Sequence, residues 1–188
     1  MKALKLINLL ALLLSVAWIM SNPDWEPKIT SLTLMATLIG LEYGEERKRL
    51  KNPDVQLFKK LIQTLPSNGD IDYIRAEEMA GMIDSERLKQ IKRFYYEWKD
   101  AEHEFLNRGL EKKRKQLYKV ISDFLMCYFA NAFQQNGTLY RVPVEWQVND
   151  PTKYQSAVDQ LNDLADDIYR LHQNLVRSAR HKLKVAEE

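Results

Sequence analysis

The stretch from Leu4 to Lys51 reads LKLINLLALLLSVAWIMSNPDWEPKITSLTLMATLIGLEYGEERKRLK and decides the architecture of the chain. It contains two apolar runs, Leu6–Met20 and about Ile29–Leu41, separated by a polar turn. Each run is shorter than the roughly 20 residues that a bilayer-spanning helix needs, but lysines and tryptophans flank the first run, and such residues anchor helix ends at a membrane interface. The pattern predicts that residues 1–51 form a membrane-anchoring hairpin of two transmembrane helices.

A cleaved signal peptide is the alternative interpretation of these residues, because it also has a basic start and an apolar core. Such a peptide should end in a small-x-small cleavage site, whereas the candidate here is the poor sequence WIMS at Trp18–Ser21. A second apolar run directly afterwards also favours the hairpin. The threonines of that second run suit a membrane helix, since their hydroxyls donate to carbonyls of the preceding helical turn.

The charges around the two runs predict their orientation. Lysines precede the first run and the basic segment RKRLK, residues 47–51, follows the second, whereas the connecting loop carries two acids and one lysine. The positive-inside rule therefore places both ends in the cytoplasm. Cys127 is the sole cysteine among 188 residues, which fits a reducing compartment and excludes an intramolecular disulfide. The net charge of +2 is too small to indicate a nucleic-acid binder.

Residues 52–188 carry apolar side chains at helical spacing, which predicts a cytosolic helical bundle that forms one ligand-sensing domain. The longest predicted helix runs from about Glu102 to Gln134. The segment TLYRVPVEW, Thr138–Trp146, reads as an extended connection or edge strand. The other predicted helices begin near Pro53, at an N-cap formed by Asp84 or Ser85, and after an Asp150–Pro151 cap. The predicted fold class is therefore all-α.

The common catalytic motifs are missing from the sequence, which has no Walker loop, no Rossmann glycine pattern, no GxSxG, no HExxH and no CxxC pair. His103 lies between two glutamates that would raise its basicity, but a capped or solvent-facing start of the longest helix explains this pattern better. The four aspartates between Asp159 and Asp167 are more typical of a solvated helix face than of a metal site. The sequence predicts no enzyme, no metal and no cofactor, with Cys127 in the core.

Basic clusters are the more informative feature of the predicted bundle. Their cations suit phosphates or anionic lipid headgroups, and aromatic neighbours add the option of base stacking. Charged residues on a bundle exterior are usually only solvated, so this alternative stays open. One cluster is predicted on the exposed side of the longest helix: Arg108, Lys112, Lys113, Arg114, Lys115 and Lys119. A second occupies the last helix: Arg170, His172, Arg177, Arg180, His181, Lys182 and Lys184. A third combines Lys89, Lys92 and Arg93 with Tyr95, Tyr96 and Trp98.

Four stretches of the predicted bundle resemble a bacterial family of short helical domains: LFKKLIQTLPSNGDI, AEHEFLNRGLEKKRKQL, VPVEW and LNDLADDIYRLHQNLVR. With the anchor, the architecture is similar to the small CRISPR-associated transmembrane effectors of type III systems, which sense cyclic oligoadenylate. The resemblance implies an antiviral defence effector of the bacterial inner membrane that binds cyclic tetra-adenylate as a homo-oligomer, with a tetramer favoured. Binding would perturb the membrane or open a pore, and DNA is not an expected partner.

The quoted stretches contain no mechanistic motif, so the candidate ligand contacts are chosen for their charge and chemistry. These candidates are Arg75, Lys89, Lys92, Arg93, His103, Arg177 and His181. A competing hypothesis is a membrane-anchored helical scaffold that binds another protein and no nucleotide. An exposed apolar or aromatic stripe would favour the scaffold, whereas a basic concavity would favour the nucleotide sensor.

Overall fold

The computed structural model describes Ile7, residues 10–14, 16–18 and 32–40, and residues 52–185. The chain divides into two compact units, an N-terminal unit, Met1–Asn52, and a helical domain, Pro53–Glu188. Most of the described residues are α-helical, in agreement with the predicted fold class.

In the N-terminal unit, every described residue before Asn52 is α-helical. Most of the large apolar side chains among them are exposed, including Leu14 and Leu32, whereas Leu12, Leu34 and Leu38 are half-buried. Thr37 Oγ1 donates to the carbonyl of Leu34 at 2.8 Å, which is the backbone contact predicted for the threonines of the second run. The predicted turn between the runs and the basic segment 47–51 lie outside the described residues. Among the helices that the structure describes, none combines the length and the hydropathy that a membrane span requires.

Within residues 53–185, the helical domain contains six α-helices and one small antiparallel sheet. The helices are α1 Pro53–Thr64, α2 Asp70–Ala76, α3 Lys89–Glu97, α4 Arg108–Asn131, α5 Trp146–Asn149 and α6 Pro151–Leu183. The strands are β1 Ile83–Asp84, β2 Phe133–Asn136 and β3 Leu139–Arg141, and they are ordered β1-β3-β2.

The two longest helices pack against each other in antiparallel orientation. Lys113 near the start of α4 donates to Asn174 Oδ1 at 2.6 Å, and Lys182 at the end of α6 donates to Asn107 Oδ1 at 3.2 Å. Because an α-helix rises 1.5 Å per residue, the 33 residues of α6 extend over about 50 Å. The buried face of α6 follows the predicted spacing and includes Tyr154, Val158, Leu161, Ala165, Ile168, Leu175, Ala179 and Leu183.

Helix α4 is shorter at both ends than predicted. Ala101–His103 form a 3₁₀ turn, and Asn107 then caps α4 by accepting from two backbone N–H groups at 3.1 and 3.2 Å. The helix ends at Asn131 because the next residues pair in the sheet as β2. Leu106, predicted on the apolar face of this helix, precedes it and is 74% exposed. The predicted bounds Glu102–Gln134 are therefore wrong.

Two predicted capping residues are confirmed. Asp84 Oδ1 accepts from the backbone N–H of Glu86 at 3.0 Å, although the element that it caps is the 3₁₀ turn Ser85–Leu88 that leads into α3. Asp150 Oδ1 accepts from the backbone N–H of Lys153 at 3.1 Å at the start of α6.

The segment predicted as an extended connection or edge strand contains β3, which is the central strand of the sheet. Tyr140 in β3 pairs with Ile83 on one side and with Gln134 on the other. Gly137 has φ 55° in the turn between β2 and β3, a left-handed conformation that favours glycine. The edge position is wrong because β1 comes from a distant part of the chain, which local sequence patterns do not reveal.

Buried polar contacts join α1 to later parts of the domain. The carboxylate of Asp54 accepts from the backbone N–H groups of Leu106 and Asn107 at 2.7 and 2.9 Å. His172 of α6 is fully buried, and its Nε2–H donates to the carbonyl of Leu65, just after α1, at 2.9 Å. The sequence-based prediction that His172 binds anions is therefore wrong, because the ring has no access to solvent.

Candidate functional site

The predicted ligand contacts lie in four places in the helical domain. They are α3 for Lys89, Lys92 and Arg93, the end of α2 for Arg75, the 3₁₀ turn before α4 for His103, and the last part of α6 for Arg177 and His181. Asp70 at the start of α2 accepts from backbone N–H groups of α3, but within residues 52–185 no hydrogen bond or ring contact joins the candidate side chains of one place to those of another. The structure therefore groups three candidates on α3 and separates the others from them.

The cations of α3 are engaged with their immediate surroundings. Lys89 forms an ion pair with the glutamate three residues before it. Arg93 Nε donates to Glu97 Oε1 at 2.8 Å. Lys92 is half-buried, and its Nζ donates to the carbonyl of Ser85 at 3.3 Å. Burial lowers the pKa of Lys92 below its ordinary value. The ammonium of Lys92 is thus held in a fixed position beside the start of α3.

The aromatic residues around Lys92 differ from those predicted for base stacking. Trp98 is fully buried, and Tyr95 is half-buried against another tyrosine ring at a centroid distance of 5.6 Å. Only Tyr96 of the predicted three is exposed, at 63%. Phe129 of α4 is exposed as well, and its ring centroid lies 6.0 Å from Lys92 Nζ.

We call Lys92 and Tyr96 of α3 together with Met126 and Phe129 of α4 the α3–α4 face, in which Lys92 and Phe129 link the two helices. Tyr96 follows Lys92 by four residues on α3, and Met126 precedes Phe129 by three on α4, so each pair shares one side of its helix. Met126 is 58% exposed. The segment Phe124–Phe129 is apolar or aromatic at every position apart from its one cysteine. A helix that packs on the core with one side cannot bury all of these side chains. That excess is the sequence signal for this face.

Arg75 lies at a concavity of about 290 Å³ between the end of α2 and the middle of α6. Its guanidinium carbon lies 4.0 Å from the ring centroid of Tyr169. The other charged residues that line this concavity are acidic: Glu77, Glu78 and Asp166. Three carboxylates against one guanidinium disfavour a polyanion, so the concavity does not fit the phosphates of an oligoadenylate.

A second concavity runs along the first half of α6 and also carries carboxylates, those of Asp159 and Asp163. Gln155 Nε2 donates to Asp159 Oδ1 at 2.7 Å, and Asp167 pairs with Arg170 at 2.7 Å. Among the described residues, no group of three or more His, Cys, Asp or Glu side chains is arranged to hold a metal ion. Asp159 and Asp167 are thus hydrogen-bonded to neighbours on the same helix.

His103 is buried and does not face solvent. Its ring packs on Trp98 at a centroid distance of 4.9 Å, and the ammonium of Lys60 donates to its Nε2 at 2.8 Å. Burial, and after it the charge of Lys60, lowers the pKa of His103, which keeps the imidazole neutral. The expectation of a solvent-facing histidine is wrong, and a neutral, enclosed ring offers no cationic contact to a phosphate.

Arg177 and His181 are exposed and lie one turn apart on α6. They lie towards the end of α6 that packs beside the start of α4, where the sequence has its other basic cluster. The prediction for Arg114 in that cluster is wrong. Arg114 is 3% exposed, because its guanidinium donates to Glu111 and, at 2.6 Å, to the carbonyl of Trp98.

The stretches that carry the family resemblance make folding contacts in this structure. Glu111 accepts from the backbone N–H of Phe105 at 2.9 Å as well as from Arg114. Asn162 Oδ1 accepts from the backbone N–H of Met79 at 3.1 Å. Glu111, Arg114 and Asn162 of these stretches therefore have structural partners within the domain. No protein-family model, curated protein or solved structure matches the chain.

Proposed function

We propose that this chain is a membrane-anchored protein-interaction module without catalytic activity, and that its partner binds the α3–α4 face. The observation that carries the proposal is the exposure of Met126 and Phe129 on a helix whose other side fills the core. Scattered exposed apolar residues are ordinary, but these two are neighbours on α4, and Phe129 lies next to Lys92. Methionine and aromatic side chains are enriched in protein interfaces and often carry much of the binding energy.

The charges around the α3–α4 face define the chemistry of the partner. Lys92 lies within the face, and Lys89 precedes it by one turn on α3. Because Lys89 is paired with Glu86, the charge of the face comes mainly from Lys92, and an apolar centre beside this ammonium is complementary to an apolar partner surface that carries a carboxylate. The acidic lining of both concavities also favours the scaffold, because a nucleotide sensor calls for a basic concavity.

The anchoring part of the proposal is supported by the two apolar runs and by the cations that flank them. The described residues of these runs are helical, and most of their apolar side chains are exposed. With both ends in the cytoplasm of a bacterial cell, the anchor would hold the helical domain at the inner membrane, where it meets a cytoplasmic or membrane-associated partner.

Co-purification from native membranes tests the proposal with a matched pair of variants. Phe129→Ser removes an aromatic side chain from the face, and Val148→Ser removes an 83% exposed apolar side chain from α5. Loss of an interface anchor costs more than 1 kcal/mol, so the partner's yield should fall at least about fivefold with Phe129→Ser. Val148→Ser should leave it unchanged. Equal yields from the two variants would remove the α3–α4 face as the binding surface.

A second candidate function, the cyclic-oligoadenylate effector, is favoured by the same Lys92–Phe129 pair. An ammonium 6.0 Å from an exposed ring supplies both a phosphate contact and a stacking surface for a base. A symmetric tetramer would repeat this pair once per subunit, in register with the repeated phosphates and adenines of cyclic tetra-adenylate. Binding would then shift the population of one arrangement of the domains and perturb the membrane.

The two candidates are separated by titrating the full chain in detergent with labelled cyclic tetra-adenylate, using the linear tetra-adenylate as competitor. Ring-selective binding that is lost in Lys92→Glu and retained in Lys153→Glu supports the effector. No binding by the folded chain removes the effector and leaves the protein-interaction module.

A further inference from the structure

The antiparallel packing of α4 and α6 brings two basic segments of the sequence to one end of the helical domain. The first half of α4 lies beside the last half of α6, as shown by the contacts of Lys113 with Asn174 and of Lys182 with Asn107. We call this the basic end. The opposite end holds α5, the start of α6 and Val148, at a distance of about 50 Å along α6.

The basic end carries many cations and few acids. From Leu171 to Val185 the chain has four Lys or Arg residues and no acid, and from Arg108 to Lys119 it has six Lys or Arg residues and one acid, Glu111. Glu111 forms ion pairs with the buried Arg114 and with Lys115. An exposed acid near this end, Glu104, pairs with the same Lys115 at 3.1 Å. Asp100 and Glu102 are further exposed acids near this end, but exposed cations outnumber them, with Arg108, Lys112, Arg177 and Lys182 exposed beside His181.

The chain also enters the helical domain at the basic end. Asp54, the second residue of the domain, accepts from the backbone N–H groups of Leu106 and Asn107. Asn107 in turn accepts from Lys182. The helical domain therefore begins at its basic end, and the apolar runs precede it in the sequence. Leu106 adds an apolar side chain here that is 74% exposed.

We infer that the basic end docks on the anionic phospholipid headgroups of the bilayer that holds residues 1–51, with Leu106 contacting the apolar boundary of the headgroups. The inference rests on the membrane anchoring proposed above. Clustered Lys and Arg beside a membrane anchor bind anionic lipids through phosphate contacts and surface potential, and an exposed leucine adds apolar burial. Docking fixes the domain with its long axis away from the bilayer and leaves the end with α5 in the cytoplasm.

Depth-dependent quenching tests this orientation in the full chain. Leu106→Cys and Val148→Cys form a matched pair, because both replace exposed apolar residues at opposite ends of the domain. Each is made with Cys127→Ser, labelled with a fluorophore and reconstituted into vesicles that contain headgroup-region spin-labelled lipid. In vesicles with about one-third phosphatidylglycerol, the probe at 106 should be quenched strongly and the probe at 148 weakly. Neutral phosphatidylcholine vesicles or about 0.5 M NaCl should reduce the quenching at 106. The docking is overturned if both probes are quenched equally, or if the quenching at position 106 does not depend on lipid charge and salt concentration.

A second pair of variants assigns the effect to charge at the basic end. Arg177→Gln and Lys153→Gln each remove one cation from α6, and they are separated by about 36 Å along the helix. Arg177→Gln should lower the ratio of docked to undocked molecules about fivefold at low salt, which corresponds to about 1 kcal/mol per charge near an anionic surface. Lys153→Gln should leave the ratio unchanged, and equal effects would contradict the assignment. Inorganic phosphate at constant ionic strength should not lower the docked fraction. A lower docked fraction would indicate a binding site for free phosphate instead of lipid headgroups.

Flotation of the same vesicles separates failure of the docking from failure of the anchoring. The full chain should float with neutral and anionic vesicles alike, at low and at high salt. Flotation without charge-dependent quenching at 106 overturns the docking alone. Failure to float with neutral vesicles overturns the proposed anchoring, and the docking inference with it.

Discussion

Acidification should destabilise the helical domain through the buried His172. Burial lowers the pKa of His172 from its ordinary 6.5 to about 4, and only the hydrogen bond to the Leu65 carbonyl opposes this shift. Above pH 6.5 the ring is neutral in both the folded and unfolded states, so it adds no pH dependence there. As the pH falls from 6.5 to about 4, the unfolded state binds the proton first, and the free energy of unfolding decreases.

The size of this effect follows from the same pKa difference. One pKa unit corresponds to 1.36 kcal/mol, so a shift from 6.5 to about 4 corresponds to a loss of about 3 kcal/mol when the pH has fallen below both values. At about pH 5 the expected loss is about 2 kcal/mol. That amount is a large fraction of the 5–15 kcal/mol that stabilises a typical domain.

The assay is urea unfolding of the full chain in detergent, followed by circular dichroism at pH values from about 7 to 5. His172→Gln places an amide that also donates to the Leu65 carbonyl but does not titrate in this range. Relative to the wild type, the variant should gain about 2 kcal/mol as the pH falls to about 5. His181→Gln, at an exposed histidine on the same helix, is the control and should show the wild-type profile. A wild-type profile in His172→Gln would refute the reasoning, because the buried ring would then not be the titrating group.

Two further substitutions test the buried polar contacts. Asp54→Asn should lower the free energy of unfolding by about 1–3 kcal/mol in urea unfolding, because the amide cannot accept both backbone hydrogen bonds as the carboxylate does. The control is Asp72→Asn at an exposed position, which should change the free energy of unfolding by less than about 0.5 kcal/mol. Arg114→Met should lower the free energy of unfolding by about 3–5 kcal/mol, because Glu111 loses its main partner. Arg93→Met breaks an exposed pair and should lower it by about 0–1 kcal/mol. Equal destabilisation of the two variants in thermal melts would contradict this ranking.

Local sequence signals predicted much of the helical structure. The spacing of apolar residues gives the buried face of α6, and the aspartates before α6 and before the turn at Ser85 act as caps. These features depend on residues that lie within one or two turns of each other, so sequence contains the information directly. The bounds of α4 were less predictable, since Asp54, more than fifty residues earlier, holds the backbone just before that helix.

The charged residues were the hardest to place from sequence. Arg114 and His172 lie among exposed cations in the sequence, yet both are buried because each has a backbone carbonyl as a partner in another segment. His103 is enclosed by Lys60 from α1 in the same way. The α3–α4 face also needed tertiary information, since Phe129 meets Lys92 only after α3 packs on α4. Composition supplied the residue types, and the packing of distant helices decided which of them remain exposed.

The most direct measurement of the central claim is photo-cross-linking in native membranes from a benzoylphenylalanine placed at position 129, with the same group at position 148 as control. The account predicts a discrete protein adduct from position 129 that is absent from position 148 and is strongly reduced by the charge reversal Lys92→Glu. No adduct from position 129, or the same adducts from both positions regardless of the charge at position 92, would contradict a protein-binding role for the α3–α4 face.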